Sequence, residues 1–469
     1  MDVIHVSHTV YIFMKTLLRS SSHRFFSLLV FVITPWPVQN IFAQTTYFPP
    51  NTGTWETTSP QSLGWCDANI DSLYNYLNQK NTKAFIILKD GKIVLEKYFG
   101  NFTQDSIWYW ASAGKTLTAF SVGLAQQDGL LKLSDASSKY LGAGWSSLST
   151  KQEDSITVWH HLTMTTGLND AGADPDCTLP ACLTYKAAAG TRWAYHNAPY
   201  TLLDQVIEGA TGGNLNLYMA KKFTTTIGMK GLFVKTGYLN VYFSNARTMA
   251  RFGLLLLNKG KWNGTTILSD TQYFREQTNS SQTINPSYGY LTWLNGKSAF
   301  MAPGSQIRFP GSLNPNAPND MFCAWGKNGQ YINVVPSQKL VLIRMGNAPG
   351  GSGAASMAVG FNDEIWKYVN RLPCSSATRT LPTNHFTLYP NPVAAGSTVV
   401  LKTVNSNSAI SSAVLCDAMG RILFSYTFND QDNNANPTQI ALPQTLPSGA
   451  YTLRIKTQNH AETLPLMVR

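Results

Sequence analysis

Two blocks of strand-like sequence stand far apart in this chain with a long helical stretch between them, and that separation limits the possible folds more than any other feature. The first block is a hairpin, Ala84-Phe85-Ile86-Ile87-Leu88 and Ile93-Val94-Leu95-Glu96-Lys97-Tyr98. It turns at Asp90-Gly91, a dipeptide that tolerates the backbone of a tight turn. The second block is Met321 to Trp325, Tyr331 to Val335 and Leu340 to Met345. Between them, Leu117 to Leu131, Val158 to Thr166, Tyr200 to Gly209 and Thr248 to Leu257 carry apolar residues at helical spacing. Ile70 to Asn78 and Ala354 to Val369 predict helices outside the two blocks. The pattern predicts an α/β (α+β) domain, in which an antiparallel sheet built from the two ends is flanked by helices and a mainly helical lobe is inserted between. A ligand cleft is expected where sheet and lobe meet.

With 469 residues, two or three domains are expected. Residues 373–385 form a linker of Ser, Thr and Pro, and residues 386–469 then read as short alternating strands with turns between them, a small β-sandwich. Near the start, Lys15, Arg19 and Arg24 precede the apolar run Phe25 to Ile33, and Ala43 offers a cleavage point. Residues 1–43 therefore predict an export signal, with Met14 as an alternative start, and the main domain runs 44–372. No later run reaches the roughly 20 apolar residues that cross a bilayer, so no transmembrane segment is expected in the mature chain. Cys177 and Cys182 can close a small disulfide loop in an oxidising compartment. A metal site is the rival reading, but neither His nor a further Cys stands near them. The net charge of +11 is scattered, which predicts no nucleic-acid partner.

The chemistry centres on Trp108-Tyr109-Trp110-Ala111-Ser112-Ala113-Gly114-Lys115-Thr116, the only S-x-x-K in the chain. If a helix begins at Ala113, Ser112 and Lys115 share a face. A serine hydroxyl needs a neighbouring base, and a lysine of lowered pKa supplies one. Free amides at the helix start favour an oxyanion. The same residues would also serve as an ordinary helix cap. Gly114-Lys115-Thr116 imitates a phosphate-binding loop, but Tyr109 stands where that loop needs glycine. Of the histidines, His160, His161 and His196 belong to the main domain; the first two are adjacent and read as packing or capping residues. No G-x-S-x-G or H-E-x-x-H is present, so a Ser-His-Asp hydrolase is poorly supported and no metal or cofactor is expected. Tyr195-His196-Asn197 offers a proton relay, a phenol whose pKa the Lys115 ammonium would lower and an amide for a substrate carbonyl. Lys327-Asn328-Gly329-Gln330 offers a cation for a substrate carboxylate, a glycine for close approach and, in the Gln330 N–H, a second oxyanion donor. A polar hairpin turn accounts for it equally well.

Ser112-Ala113-Gly114-Lys115, residues 161–168 (HLTMTTGL), residues 190–197 (GTRWAYHN) and residues 326–330 (GKNGQ) follow the order seen in the class C β-lactamase and penicillin-binding-protein superfamily, which residues 84–371 resemble. The resemblance implies the β-lactamase-like fold and an acyl-enzyme on Ser112, with Lys115 and Tyr195 as the acid–base pair and Asn197 and Lys327 as binding residues. Lys-Asn-Gly lacks the hydroxyl of the usual Lys-Thr-Gly, which favours a small-molecule ester or amide substrate over a β-lactam; β-lactamase or D-alanyl-D-alanine peptidase activity is the alternative, and a non-catalytic binder the third. Trp108, Trp110, Trp193, Tyr288, Tyr290 and Trp293 either line an acyl pocket or pack the core. Residues 386–392 (FTLYPNP), 417–421 (DAMGR) and 449–455 (GAYTLRI) resemble the type IX secretion C-terminal sorting domain, which implies that machinery as a partner and a secreted or cell-surface location via the periplasm. A carbohydrate-binding sandwich is the structural alternative.

Overall fold

The computed structural model describes residues 46–350, 359–374, 386–403, 410–417, 420–428, 438–457 and 461–469. The expected export signal, most of the linker and the start of the last predicted helix lie outside these residues. Helix α1 (Asp67–Gln79) leads into β1 (Thr82–Lys89) and β2 (Lys92–Tyr98), joined at Asp90 and Gly91, both with positive φ. Next come β3 (Trp108–Tyr109), α2 (Gly114–Gln127), α3 (Val158–Leu162) and α4 (Asn197–Thr211). The hairpin β4 (Gly231–Thr236) and β5 (Leu239–Ser244) precedes α5 (Ala246–Leu257) and β6 (Trp293–Leu294). Strands β7 (Phe322–Gly326), β8 (Gln330–Val335) and β9 (Leu340–Gly346), then α6 (Val359–Val369), complete this part.

The main sheet runs β2-β1-β9-β8-β7-β6, antiparallel throughout. The two ends of the domain meet at its centre, where Ile86 faces Ile343. Strands β8 and β9 are buried at every position, which requires cover on both faces. α5 covers one side, and it approaches so closely that a Cβ on Gly253 would lie 2.5 Å from Val341 Cγ1. α1 and α6 pack together through Tyr76 stacked on Tyr368 at 4.3 Å. A disulfide between Cys66, the N-cap of α1, and Cys374 ties residues 308 positions apart.

The expected helical lobe is present, but it also holds a three-stranded sheet, β3-β5-β4, that helical periodicity does not reveal. Residues 386–469 form two antiparallel sheets, of three and four strands, around their own core of Val399, Leu401, Leu415, Leu453 and Leu466. No helix among the described residues is long and apolar enough to cross a membrane.

Candidate active site

Ser112 sits in a single 3₁₀ turn, Ala111–Ala113, that runs directly into α2. Ala111 ahead of it takes φ +48, the left-handed region that costs a residue with a Cβ about 1–2 kcal/mol. The kink is held from both sides. Trp110 N–H donates to Tyr242 O at 2.8 Å and its indole to Ser244 Oγ at 2.7 Å, both on β5. Across from it, Gly326 ends β7 against the same turn, where a Cβ would lie 2.3 Å from Trp110 O and 3.1 Å from Ala113 N.

Every residue of α2 from Gly114 to Ala125 is buried, Lys115 included. Its Nζ donates to Ser112 Oγ at 2.9 Å and to Asn197 Oδ1 at 2.8 Å, and it lies 4.1 Å from the centre of the Tyr200 ring and 5.1 Å from that of Tyr195. Burial lowers the Lys115 pKa to about 7, against the pull of Asp176 and Asp204. Asp204 is no strong counter-ion near neutrality, because burial raises its own pKa to about 7. It is held by Asn240 Nδ2 at 2.9 Å and Thr118 Oγ1 at 3.3 Å.

Tyr195 is stacked on Trp293 at 5.7 Å and meets Tyr288 edge-on. Its buried hydroxyl closes no hydrogen bond, although Ser112 is near enough to favour the phenolate. The expected lowering of its pKa is not found. Burial outweighs Ser112 and drives the value up, so the phenol stays protonated while the lysine titrates. Asn197 opens α4 and donates from Nδ2 to Asp176 Oδ1 at 2.7 Å.

The 327–330 segment departs further from expectation. Asn328 and Gly329 take φ +64 and +76 in the turn between β7 and β8, and a Cβ on Gly329 would strike Arg344 Nη1 at 2.8 Å. Its glycine serves the turn; the close approach to Ser112 belongs to Gly326. Gln330 is paired with Gly326 in the ladder. Asn295 N–H donates to Met321 O, the Met321 N–H itself going to Pro318 O, and Cys323 pairs with Trp293, so by the alternation of an antiparallel strand Cys323 and Trp325 direct their amides toward the β6 side, while Gly326 and Gln330 face each other. β6 pairs only as far as Cys323. The Trp325 N–H therefore points from an open sheet edge beside the Ser112 turn, whereas that of Gln330 is committed to the ladder. Lys327 is exposed.

Ser112, Lys115, Tyr195, Asn197 and Lys327 all line one cleft of about 580 Å³, shared with Leu239, Val241 and Pro303. His160 caps α3 by accepting from Thr157 N–H, and the buried His161 is held against Pro199 O; neither reaches the cleft. Of the six aromatics considered as a pocket, Trp110, Trp193, Tyr288, Tyr290 and Trp293 are core, and the cleft is lined by Tyr109, Tyr195 and Tyr200 instead. Cys177 and Cys182 are joined by a disulfide. Among the described residues no cluster of three His, Cys, Asp or Glu could hold a metal ion.

Asp176, Tyr200, Asp204 and Trp325 were not legible as site residues. One signal was available: Asn197, Tyr200 and Asp204 recur at three and seven positions and so share one face of their helix.

Comparison with known proteins bears on the family and the fold. Residues 77–360, more than half of the chain, match the family model described as beta-lactamase, and residues 387–469 match that of the secretion system C-terminal sorting domain. An uncharacterised protein of Alkalihalophilus pseudofirmus is 25% identical over 321 residues, 58% of this chain and 88% of that one. A solved structure from Bacillus anthracis, provisionally described as a 6-aminohexanoate-dimer hydrolase, is similar with a TM-score of 0.52 and 19% identity over 70% of this chain and 91% of that one. Another from Bacteroides dorei, provisionally described as a β-lactamase, has a TM-score of 0.52 and 16% identity over 66% and 99%. At these identities the solved structures establish a shared fold.

Proposed function

Since the chain belongs to the β-lactamase family and carries a type IX secretion sorting domain that marks a secreted or cell-surface protein, we propose that it is a serine hydrolase of carboxylic esters or small amides, working through an acyl-enzyme on Ser112. We assign the hydrolase to residues 44–372 and the sorting domain to 386–469. The observation that carries the reading is the 2.9 Å contact between Ser112 Oγ and a buried Lys115 whose pKa falls to about 7. Near neutrality a large share of Lys115 is the free amine, and its lone pair takes the Ser112 proton as Oγ attacks the substrate carbonyl. The Ser112 N–H, among the first amides of its helix and without an intrahelical partner, and the Trp325 N–H stabilise the oxyanion. Tyr195, kept protonated by burial, gives its proton to the leaving oxygen or nitrogen and recovers one from the Lys115 ammonium. Water then repeats the sequence on the acyl-enzyme.

Lys327 at the cleft rim favours one second reading, since its ammonium suits the carboxylate of a β-lactam or a D-alanyl peptide. The purified protein and its Ser112→Ala variant are to be treated with a fluorophosphonate probe, short-chain nitrophenyl esters and a chromogenic cephalosporin. Labelling and ester turnover by the parent, both lost in Ser112→Ala, are expected. Labelling that survives the substitution sinks the reading, and cephalosporin turnover without ester turnover promotes the second one.

A further inference from the structure

Asp176 has no part in the reaction steps above, yet it accepts from the residue that holds the catalytic lysine. Asn197 bridges the two, its carbonyl Oδ1 accepting a hydrogen bond from Lys115 Nζ at 2.8 Å and its Nδ2 donating one to Asp176 Oδ1 at 2.7 Å. We propose that Asp176 is a positioning residue that locks the Asn197 amide with its oxygen toward Lys115, and that the Cys177–Cys182 disulfide holds Asp176 where it can do so. The inference rests on Ser112 and Lys115 acting as described above.

The lock follows from the two ends of an amide. Rotated by half a turn, Asn197 would set its oxygen against the Asp176 carboxylate and its N–H group against Lys115, leaving the carboxylate without its donor. With Asp176 gone that penalty disappears. Nδ2 can then donate to the lone pair of neutral Lys115, the same lone pair that must take the Ser112 proton. Asp176 thus keeps the lysine base available to the serine, as well as being one of the two carboxylates, with Asp204, that favour its ammonium form. The other groups facing Lys115 are Ser112 and the rings of Tyr195 and Tyr200.

Asp176 lies in an irregular stretch with no helix or strand of its own before the turn at Pro180. Three local features fix it. Ala198 N–H, at the start of α4, donates to Pro175 O at 3.3 Å; Asp176 N–H donates to Asp174 Oδ1 at 2.9 Å; and the next residue is the buried Cys177, joined to Cys182. A closed five-residue separation leaves the loop few alternative paths.

Asp176→Asn retains an oxygen for Asn197 Nδ2 but removes the charge, while Asp176→Ala removes both, so the pair separates the two roles. Asp176→Ala should lower the rate of Ser112 labelling by a fluorophosphonate about 10–100-fold, the range for partners that orient an active-site ligand. Asp176→Asn should label near the parental rate at its optimum with the acid limb of the pH profile displaced to lower pH. Cys177→Ser/Cys182→Ser should fall between them, and parental labelling by it overturns the part assigned to the disulfide. A second readout is independent of turnover: the ¹³C resonance of Lys115 in lysine-labelled protein, assigned by its loss in Lys115→Met, should titrate at lower pH in Asp176→Asn than in the parent. An unmoved midpoint, or parental labelling by Asp176→Ala, overturns the inference. A parent that does not label at all overturns the hydrolase reading instead, and the lysine titration then still decides whether Asp176 acts on Lys115.

Discussion

The two walls of the cleft are built differently. On the Ser112 wall the polar groups are buried or half-buried and bonded to one another. Lys115 meets Ser112 and Asn197, Asn197 meets Asp176, and Asp204 is held by Thr118 and Asn240. On the opposite wall Lys327 stands exposed on a turn. That turn is fixed from behind, because the fully buried Arg344 donates to the carbonyls of Asn328 and Gly329 while Asn328 Nδ2 donates to Tyr109 Oη at 2.7 Å. One wall fixes the protonation states of its side chains through burial; the other fixes only its backbone and leaves its cation in water. In the proposed reaction bond making belongs to the first wall, and whatever Lys327 contributes must come through a screened charge.

The largest expected effect tests the buried wall. Lys115→Met removes the base and should lower Ser112 labelling by at least about 10³-fold, within the range for removing a member of a cooperating catalytic set. The same substitution should stabilise the fold. Lys115 titrates near 10.5 in an open chain and near 7 here, so between those values the folded state binds fewer protons than the unfolded one, and stability falls as the pH drops through that window. Below about 7 the full penalty remains. Even after the loss of two hydrogen bonds, of order 1 kcal/mol each, a gain of a few kcal/mol is expected at pH 7. Melting curves from pH 6 to 10 should slope upward for the parent and more weakly for Lys115→Met. Equal slopes would remove burial of the charge as the organising feature of that wall.

The next effect tests where the walls meet. Gly326→Ala sets a Cβ into the Trp110 carbonyl and should force β7 away from the Ser112 turn. Overpacking of this kind costs about 1–3 kcal/mol. Displacing an oxyanion donor costs about 10²–10³ in rate. Thermal melts and ester turnover check the two numbers, and parental turnover would discard Trp325 as the donor.

That junction also marks how far the residues could be read before the fold was known. Ser112, Lys115 and Tyr195 could be picked out as candidates because the chemistry proposed for them depends on spacing and residue type, and five of the six strands of the main sheet followed from the strand blocks at the two ends. Trp325 could not, because the direction of its amide depends on β6, a two-residue strand too short to leave a periodic signal. The hairpin Gly231–Ser244 was missed for a related reason: β4 exposes five of its six residues, so no alternation betrays it, and its partner β5 is completed by Trp108–Tyr109, distant in sequence. The Cys66–Cys374 disulfide spans 308 positions, which no local pattern encodes. Even the pKa of Tyr195 ran opposite to expectation, since a neighbouring ammonium can be inferred from a motif but the depth of burial around a phenol cannot.

The smallest expected effect tests the exposed wall. Lys327→Ala leaves the Ser112 wall, the turn and Arg344 untouched, and the carbonyl of residue 327 can still accept from Gln330 Nε2. Turnover of neutral nitrophenyl esters should therefore keep both kcat and KM. For substrates that carry a carboxylate, an exposed ion pair contributes about 0.2–1 kcal/mol, so KM should rise by no more than about 5-fold with kcat unchanged. Because water and salt screen an exposed charge, 1 M NaCl should erase that difference between parent and variant. A loss in kcat, or a KM effect that persists in high salt, would mean that Lys327 is drawn into the buried network once substrate binds, and the division between a catalytic wall and a screened wall would fail.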